Sequence, residues 1–169
     1  MRFVIPIEPK PQMRPKKGKF GMYEDPKMRA WRKQCSALIE QVYNGPFYDG
    51  PIKVDVIFYM KAPQTIAKQP TPRAKASTLE RFKKYVSELM WHFKKPDIDN
   101  LVKAVFDSIS NAGYNKIDKK GIVWSDDNIV CDLRARKLYS PEPRIEIEIE
   151  EMLNVLPNDA NKLLEEEND

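Results

Sequence analysis

The sequence predicts a single α/β domain of the α+β kind, a mixed β-sheet packed by helices. Three observations predict it. Residues 51–60 and 144–150 alternate apolar and polar side chains with period two. Residues 26–43 and 97–112 repeat apolar side chains at helical spacing. Strands therefore fall towards both ends of the chain, with helices between them. At 169 residues the chain is long enough for one core that needs no staples.

The elements follow in order. Residues 2–7 read as an opening strand. Pro6, Pro9, Pro11 and Pro15 then fix φ and remove amide donors, so an extended basic arm is expected. Asp25 before Pro26 is a cap followed by a proline at the first helical turn. That helix runs to about Tyr43, with Trp31, Cys35, Leu38, Ile39 and Val42 as its stripe, and Asn44-Gly45-Pro46 stops it. Ile52, Val54, Val56, Phe58 and Met60 alternate with Lys53 and Asp55 in a half-buried strand. A polar connector spans about Ala62 to Lys75. Ser77-Thr78-Leu79-Glu80 resembles a capping box and opens a helix through about Met90.

The segment from Asp97 to Ala112 is the best-marked helix. Pro96 pushes Lys95 into extended geometry, Asp97 or Asp99 can cap, and Gly113 closes the C-terminus. Leu101, Val102, Val105, Phe106 and Ile109 form the buried stripe. After a turn over 115–121 come strands at about Ile129 to Tyr139 and Arg144 to Glu150. In the last, Ile145, Ile147 and Ile149 face inward while Arg144, Glu146, Glu148 and Glu150 face water. Residues 1–156 form the domain, and 157–169 an acidic tail expected to be flexible.

The net charge is +4, but the last thirteen residues carry −4, which leaves +8 on residues 1–156. Residues 10–33 hold nine basic side chains against Glu24 and Asp25. Such a body favours a polyanionic partner, most often nucleic acid, although a solvated basic face fits the charge equally well. Cys35 and Cys131 lie far apart without ligand spacing; they read as free, buried thiols in a reducing, cytoplasmic compartment. A single histidine, His92, does not suit a tetrahedral zinc site. No apolar run approaches the ~20 residues that span a bilayer, and the N-terminus lacks the h-region of a signal peptide. The expected protein therefore has no membrane partner.

Chemistry concentrates around Lys95-Pro96-Asp97-Ile98-Asp99-Asn100-Leu101-Val102-Lys103. In extended backbone, residues two apart point the same way, so Asp97 and Asp99 can present both carboxylates to one ion. In the helix that follows, Lys103 lies one turn behind Asp99. Acid, acid and ammonium thus line up over about ten ångströms or less. Asp126 and Asp127 are adjacent, so on a strand only one of them would enter such a site. Mg²⁺ takes oxygen ligands, usually one or two carboxylates plus water and phosphate. A neighbouring lysine can then stabilise charge on a scissile phosphate. The same spacings also suit helix capping, an Asp99–Lys103 ion pair and a plain turn at Asp126-Asp127-Asn128. Asn100 can orient a ligand or cap the helix.

Read together, the Lys95–Lys103 run, Phe106-Asp107-Ser108-Ile109, Gly113 and Asp126-Asp127 resemble the RusA family of Holliday junction resolvases. The basic opening from Pro9 to Lys17, the Tyr23–Lys27 segment and Lys137 fit as well, and the resemblance covers most of residues 1–152. It implies a small homodimeric α/β enzyme that cuts four-way DNA junctions symmetrically with Mg²⁺, with Mn²⁺ able to substitute. Many members are encoded by phages or prophages, which places the enzyme in the cytoplasm of a bacterium or a phage-infected host. Carried over residue by residue, Asp97, Asp99 and Asp127 would bind metal, with Asp126 the less certain neighbour, and Lys103 matches the family's essential lysine. The chain departs from the pattern in its longer 62–93 connector, in Pro96 where some members place arginine, and in its acidic tail.

Around that centre, Arg14, Lys16, Lys17, Lys19, Lys95, Arg134 and Lys137 are candidate DNA contacts. Lys137 and Arg134 suit salt bridges to the last strand's glutamates equally well. Trp31, Trp91 and Trp124 can stack on unpaired bases or pack in a core or interface; Trp124 adjoins the acidic pair. The same site would also serve a nuclease acting on forks or flaps. With the aspartates as caps, the chain would instead be a non-catalytic branched-DNA-binding protein.

Overall fold

In the computed structural model, which describes residues 1–14, 16–18, 21–110 and 121–153, the segment read as alternating at 51–60 lies inside a four-stranded sheet. This strand, β4 (Ile52–Lys61), is preceded by β1 (Arg2–Ile5), β2 (Lys16–Gly18), β3 (Gly21–Tyr23) and helix α1 (Pro26–Val42). After it come α2 (Gln64–Ala67), α3 (Ala76–Val86), α4 (Ile98–Ile109), β5 (Val130–Ser140) and β6 (Arg144–Glu151). The sheet order is β1-β6-β4-β5, with β4 and β5 parallel and the other pairs antiparallel. Fold and class are those the sequence predicts.

One face of the sheet carries Phe3, Ile5, Ile52, Val54, Val56, Phe58, Ile145, Ile147 and Ile149, all buried. Helices α1 and α4 cover it with Met28, Trp31, Cys35, Ile39, Leu101, Val105, Phe106 and Ile109. Where they cross, buried Ser36 Oγ donates to the Ser108 carbonyl at 2.8 Å. Asp25 caps α1 as expected, its side chain accepting from Lys27 N at 2.9 Å. Burial pushes the Cys35 thiol up to about 12, so it is an inert core side chain.

The other face is polar, and here Glu146 departs from the expectation that it faces water. It is only 8% exposed. Arg2 reaches it from β1 at 2.6 Å, and Arg144 Nε from its own strand at 2.8 Å. Arg144 also lies over the Tyr59 ring at 3.7 Å and binds both oxygens of Glu88, at 2.6 and 2.9 Å. Period two sets which face a residue occupies. Partners on that face decide whether water reaches it.

Other boundaries also moved. α3 begins at Ala76, after an N-cap Lys75 that makes no side-chain capping bond, and ends at Val86, so Ser77–Glu80 is not a capping box. Glu80 instead pairs with Lys84 at 2.9 Å, one turn on. The following residues leave the helix to pair with the edge of β5, through Tyr139 N to Met90 O at 2.8 Å and His92 N to Lys137 O at 3.0 Å. The arm contains a hairpin, β2 with β3, in which Gly21 at φ 118° adopts backbone that favours glycine. Cys131 is exposed rather than buried, because it sits on the edge strand. Ala112, Gly113, Asn115, Lys19 and the acidic tail lie outside the described residues. No helix among the described residues is long and apolar enough to cross a membrane.

The Glu88–Arg144 pair gives a stability test. The guanidinium holds the Glu88 carboxyl below the ordinary range, so its contribution is present above that range and is lost as pH falls through the folded value. Glu88→Gln should lower unfolding free energy by about 1 kcal/mol at neutral pH. The gap to the native chain should close below about pH 4, measured as denaturant midpoints at both pH values.

Candidate active site

Asp97 occupies the N-cap position of α4 with extended backbone, yet its side chain makes no capping bond. The helix start therefore leaves this carboxylate uncommitted and exposed. Asp99, in the first turn, is also exposed and accepts from Asn100 Nδ2 at 3.3 Å. Asn100 thus orients Asp99 rather than capping the helix. Its carbonyl also receives the Gln12 amide at 2.7 Å, fastening the arm to α4.

Lys103 does not reach back to Asp99. Its ammonium lies 3.8 Å from Asp107, one turn further on, while Arg32 from α1 approaches the other Asp107 oxygen at 3.9 Å. Arg32 also binds Glu24 and, at 3.4 Å, Gln12. By helical spacing Asp99, Lys103 and Asp107 form one stripe. Asp107 is held between two cations.

Asp126 and Asp127 divide their work at the 3-10 turn Asp127–Ile129. Asp126 caps it, accepting from Asn128 N at 3.0 Å. Asp127 accepts from the Trp124 indole at 2.8 Å. Burial raises the Asp127 carboxyl above its ordinary range; the indole opposes this, Asp107 and Asp126 add to it, and Lys103 opposes it. Asp127 therefore stands within electrostatic reach of the α4 stripe.

The packing around Trp124 explains that position. Its fully buried ring meets Phe106 of α4 edge-on at 5.3 Å. Ile122 N donates to Ile109 O at the end of α4, and Tyr48 N to Val123 O, each at 2.9 Å. Gly121 permits this approach, since a Cβ there would lie 1.6 Å from the Trp124 carbonyl oxygen.

Among the described residues, no three His, Cys, Asp or Glu side chains stand close enough to hold a metal ion. Asp97, Asp99 and Asp127 do not form a ready-made shell. Their donor chemistry nonetheless fits a hard divalent cation, because all are carboxylates and two are exposed side chains with rotamer freedom.

The remaining candidates are dispersed. Lys137 donates to the carbonyls of Lys94 and Pro96, at 2.9 and 2.5 Å, and so fastens the loop that delivers Asp97. The Lys95–Pro96 peptide in that loop is cis, and Lys95 is exposed. Arg134 lies on the opposite, polar face of the sheet, 4.0 Å from Asp55, which Arg136 binds at 2.5 Å. Arg14 and Lys17 are exposed on the arm and Lys16 lies in β2. Trp31 is buried and donates to Glu8 O at 2.9 Å, whereas Trp91 is exposed.

A family model described as Endodeoxyribonuclease RusA matches residues 6–150, from the end of β1 almost to the end of β6. The chain belongs to the RusA family. The match contains every candidate metal ligand and Lys103. A relative named Uncharacterized protein YqaN, from Bacillus subtilis (strain 168), is 28% identical over 156 residues, covering 90% of this chain and 96% of that protein. The mixed α+β architecture agrees with this RusA membership, and the family is one of nucleases.

Two contacts at this candidate site are not legible in the sequence. Trp124 is singled out there for adjoining the acidic pair, but its bond to Asp127 depends on the 3-10 turn between them. Arg32 and Asp107 sit on different helices, so no local spacing announces their contact.

Gly121→Ala forces Cβ against main-chain atoms of Trp124 and Ser110, which cannot yield as a side chain would. It should destabilise the fold by about 3 kcal/mol, read as a lowered midpoint of thermal unfolding. Trp124→Phe keeps an aromatic ring but removes the indole donor, and should cost about 1–3 kcal/mol in denaturant unfolding.

Proposed function

We propose that this chain is a Mg²⁺-dependent, structure-selective endodeoxyribonuclease that resolves Holliday junctions by paired symmetric nicks during recombination and repair. The carrying observation is the start of α4, where the Asp97 carboxylate makes no capping bond beside exposed Asp99 and Asp127 lies within electrostatic reach of Lys103 and Asp107. An endodeoxyribonuclease family match around those residues gives that geometry its chemistry.

In this reading Asp97, Asp99 and Asp127 hold the metal, while Asp126 is largely taken up by its cap. The chemistry that Mg²⁺, or Mn²⁺ in its place, would supply there is a lowered pKa for water and neutralisation of charge on the phosphate oxygens. Lys103 stabilises negative charge developing on the scissile phosphate. Trp124 orients Asp127, and Asn100 orients Asp99. Arg14, Lys16, Lys17, Lys19 and Lys95 contact the DNA backbone, so binding should weaken steeply with salt. Two opposed nicks on a junction of near-two-fold symmetry call for two sites, which an isologous homodimer supplies. Residues 1–156 make up the nuclease domain and 157–169 an appended acidic tail. The setting is the cytoplasm of a bacterium or a phage-infected host.

A synthetic four-way junction should be nicked in paired arms with Mg²⁺ and left intact with chelator. Asp99→Asn should slow cleavage by on the order of a hundredfold or more while junction binding persists in a gel-shift assay. Unchanged cleavage by Asp99→Asn would remove the catalytic role. Equal cutting of junction, fork and linear duplex would remove the junction selectivity.

A further inference from the structure

The most exposed aromatic side chains of the described residues stand immediately before the site. Trp91 is 61% exposed and Phe93 82%, with Leu89 and Val86 exposed nearby. Between the two aromatics His92 is buried, its ring 4.6 Å from that of Tyr139. This alternation is that of extended backbone, so Trp91 and Phe93 leave the chain on the same side.

The backbone beneath them is fastened. Trp91 bridges Leu138, and amide bonds join His92 to Lys137 and Tyr139 to Met90. The Lys137 ammonium then closes the loop through the Lys94 and Pro96 carbonyls. Two rings are thus held out in water on a pinned strip. Lys94 and Lys95, both exposed, follow at once, and Asp97 comes next.

Flat apolar faces beside cations suit nucleobases joined to phosphates. Bases inside an intact duplex have their faces covered by neighbours, so such a platform requires bases that are unpaired or terminal. A second copy of this chain suits the strip less well. An isologous contact there would set Lys94 and Lys95 near their own counterparts.

The geometry points to Trp91 and Phe93 as a stacking platform for bases unpaired at the branch point, next to the scissile phosphate. Selectivity for branched over linear DNA would then reside in this strip rather than in the metal-binding carboxylates. The inference rests on the nuclease reading above for its scissile phosphate, but the stacking itself can be tested without cleavage.

Trp91 is the exposed member of the three tryptophans, since Trp31 and Trp124 are buried. With chelator present, a short single-stranded oligothymidylate should quench the emission of the wild-type protein. Trp91→Ala should abolish the quench, and Phe93→Ala should weaken oligonucleotide affinity on the order of tenfold. With Mg²⁺, both variants should lose preference for junction over linear duplex by a similar factor, at unchanged thermal midpoint. Quenching that survives Trp91→Ala, or affinities within about twofold of wild type, would overturn the platform. So would variants that become monomeric in light scattering while oligonucleotide affinity is kept, since the strip would then join copies. Quenching by a wild-type protein that cleaves no DNA would support the platform and defeat the nuclease reading alone.

Discussion

The parallel pairing of β4 with β5 is the constraint on which the rest of the structure depends. Parallel neighbours cannot be joined by a tight turn, so the chain must leave the sheet and return from the starting end. Everything between Lys61 and Val130 belongs to that crossover, including α4 and both acidic pairs. Asp97 and Asp99 lie where α4 begins, and Asp127 where the chain re-enters the sheet. Trp124, packed on Phe106 and bridged to Tyr48, holds the returning chain against the helix. The proximity of Asp127 to the α4 stripe is therefore a product of topology.

Much of the fold was legible because its elements are locally consistent. The alternation in β4 and β6 and the apolar stripes of α1 and α4 each identify one face of one element. Asp25 and Pro26 mark the start of α1. What those patterns omit is what covers the opposite face. Glu146 reads as exposed by period, but Arg2 and Arg144 converge on it from positions that only sheet order reveals. Cys131 reads as buried by residue type, yet β5 is an edge strand. The β2–β3 hairpin has no apolar alternation to betray it, and Ser77–Glu80 mimics a capping box inside a helix begun upstream.

The candidate site divides along the same line. The Asp97–Asp99 spacing and the one-turn offset to Lys103 are local, so they were visible. The adjacent aspartates were read as facing opposite sides of a strand; they stand instead at a 3-10 turn, where Asp126 accepts from Asn128 N and Asp127 from the indole. The partner of Lys103 was not visible. Asp99 and Asp107 both lie one turn from it, and Arg32 on another helix fixes Asp107 as the carboxylate in contact. Lys137 suggested phosphate or glutamate by charge alone, but its ammonium lies among main-chain carbonyls.

That use of Lys137 decouples the history of the connector from the geometry of the aspartates. The strip at Met90–His92 is bonded to β5, and the ammonium fixes the following turn, so the path into α4 is set from residue 90 onward. Length added or lost between Lys61 and Met90 is absorbed before the chain reaches that fixed point. The residues between Lys61 and Met90, which carry α2 and α3, can thus vary in length without moving the aspartates. The crossover is elastic at one end and indexed at the other.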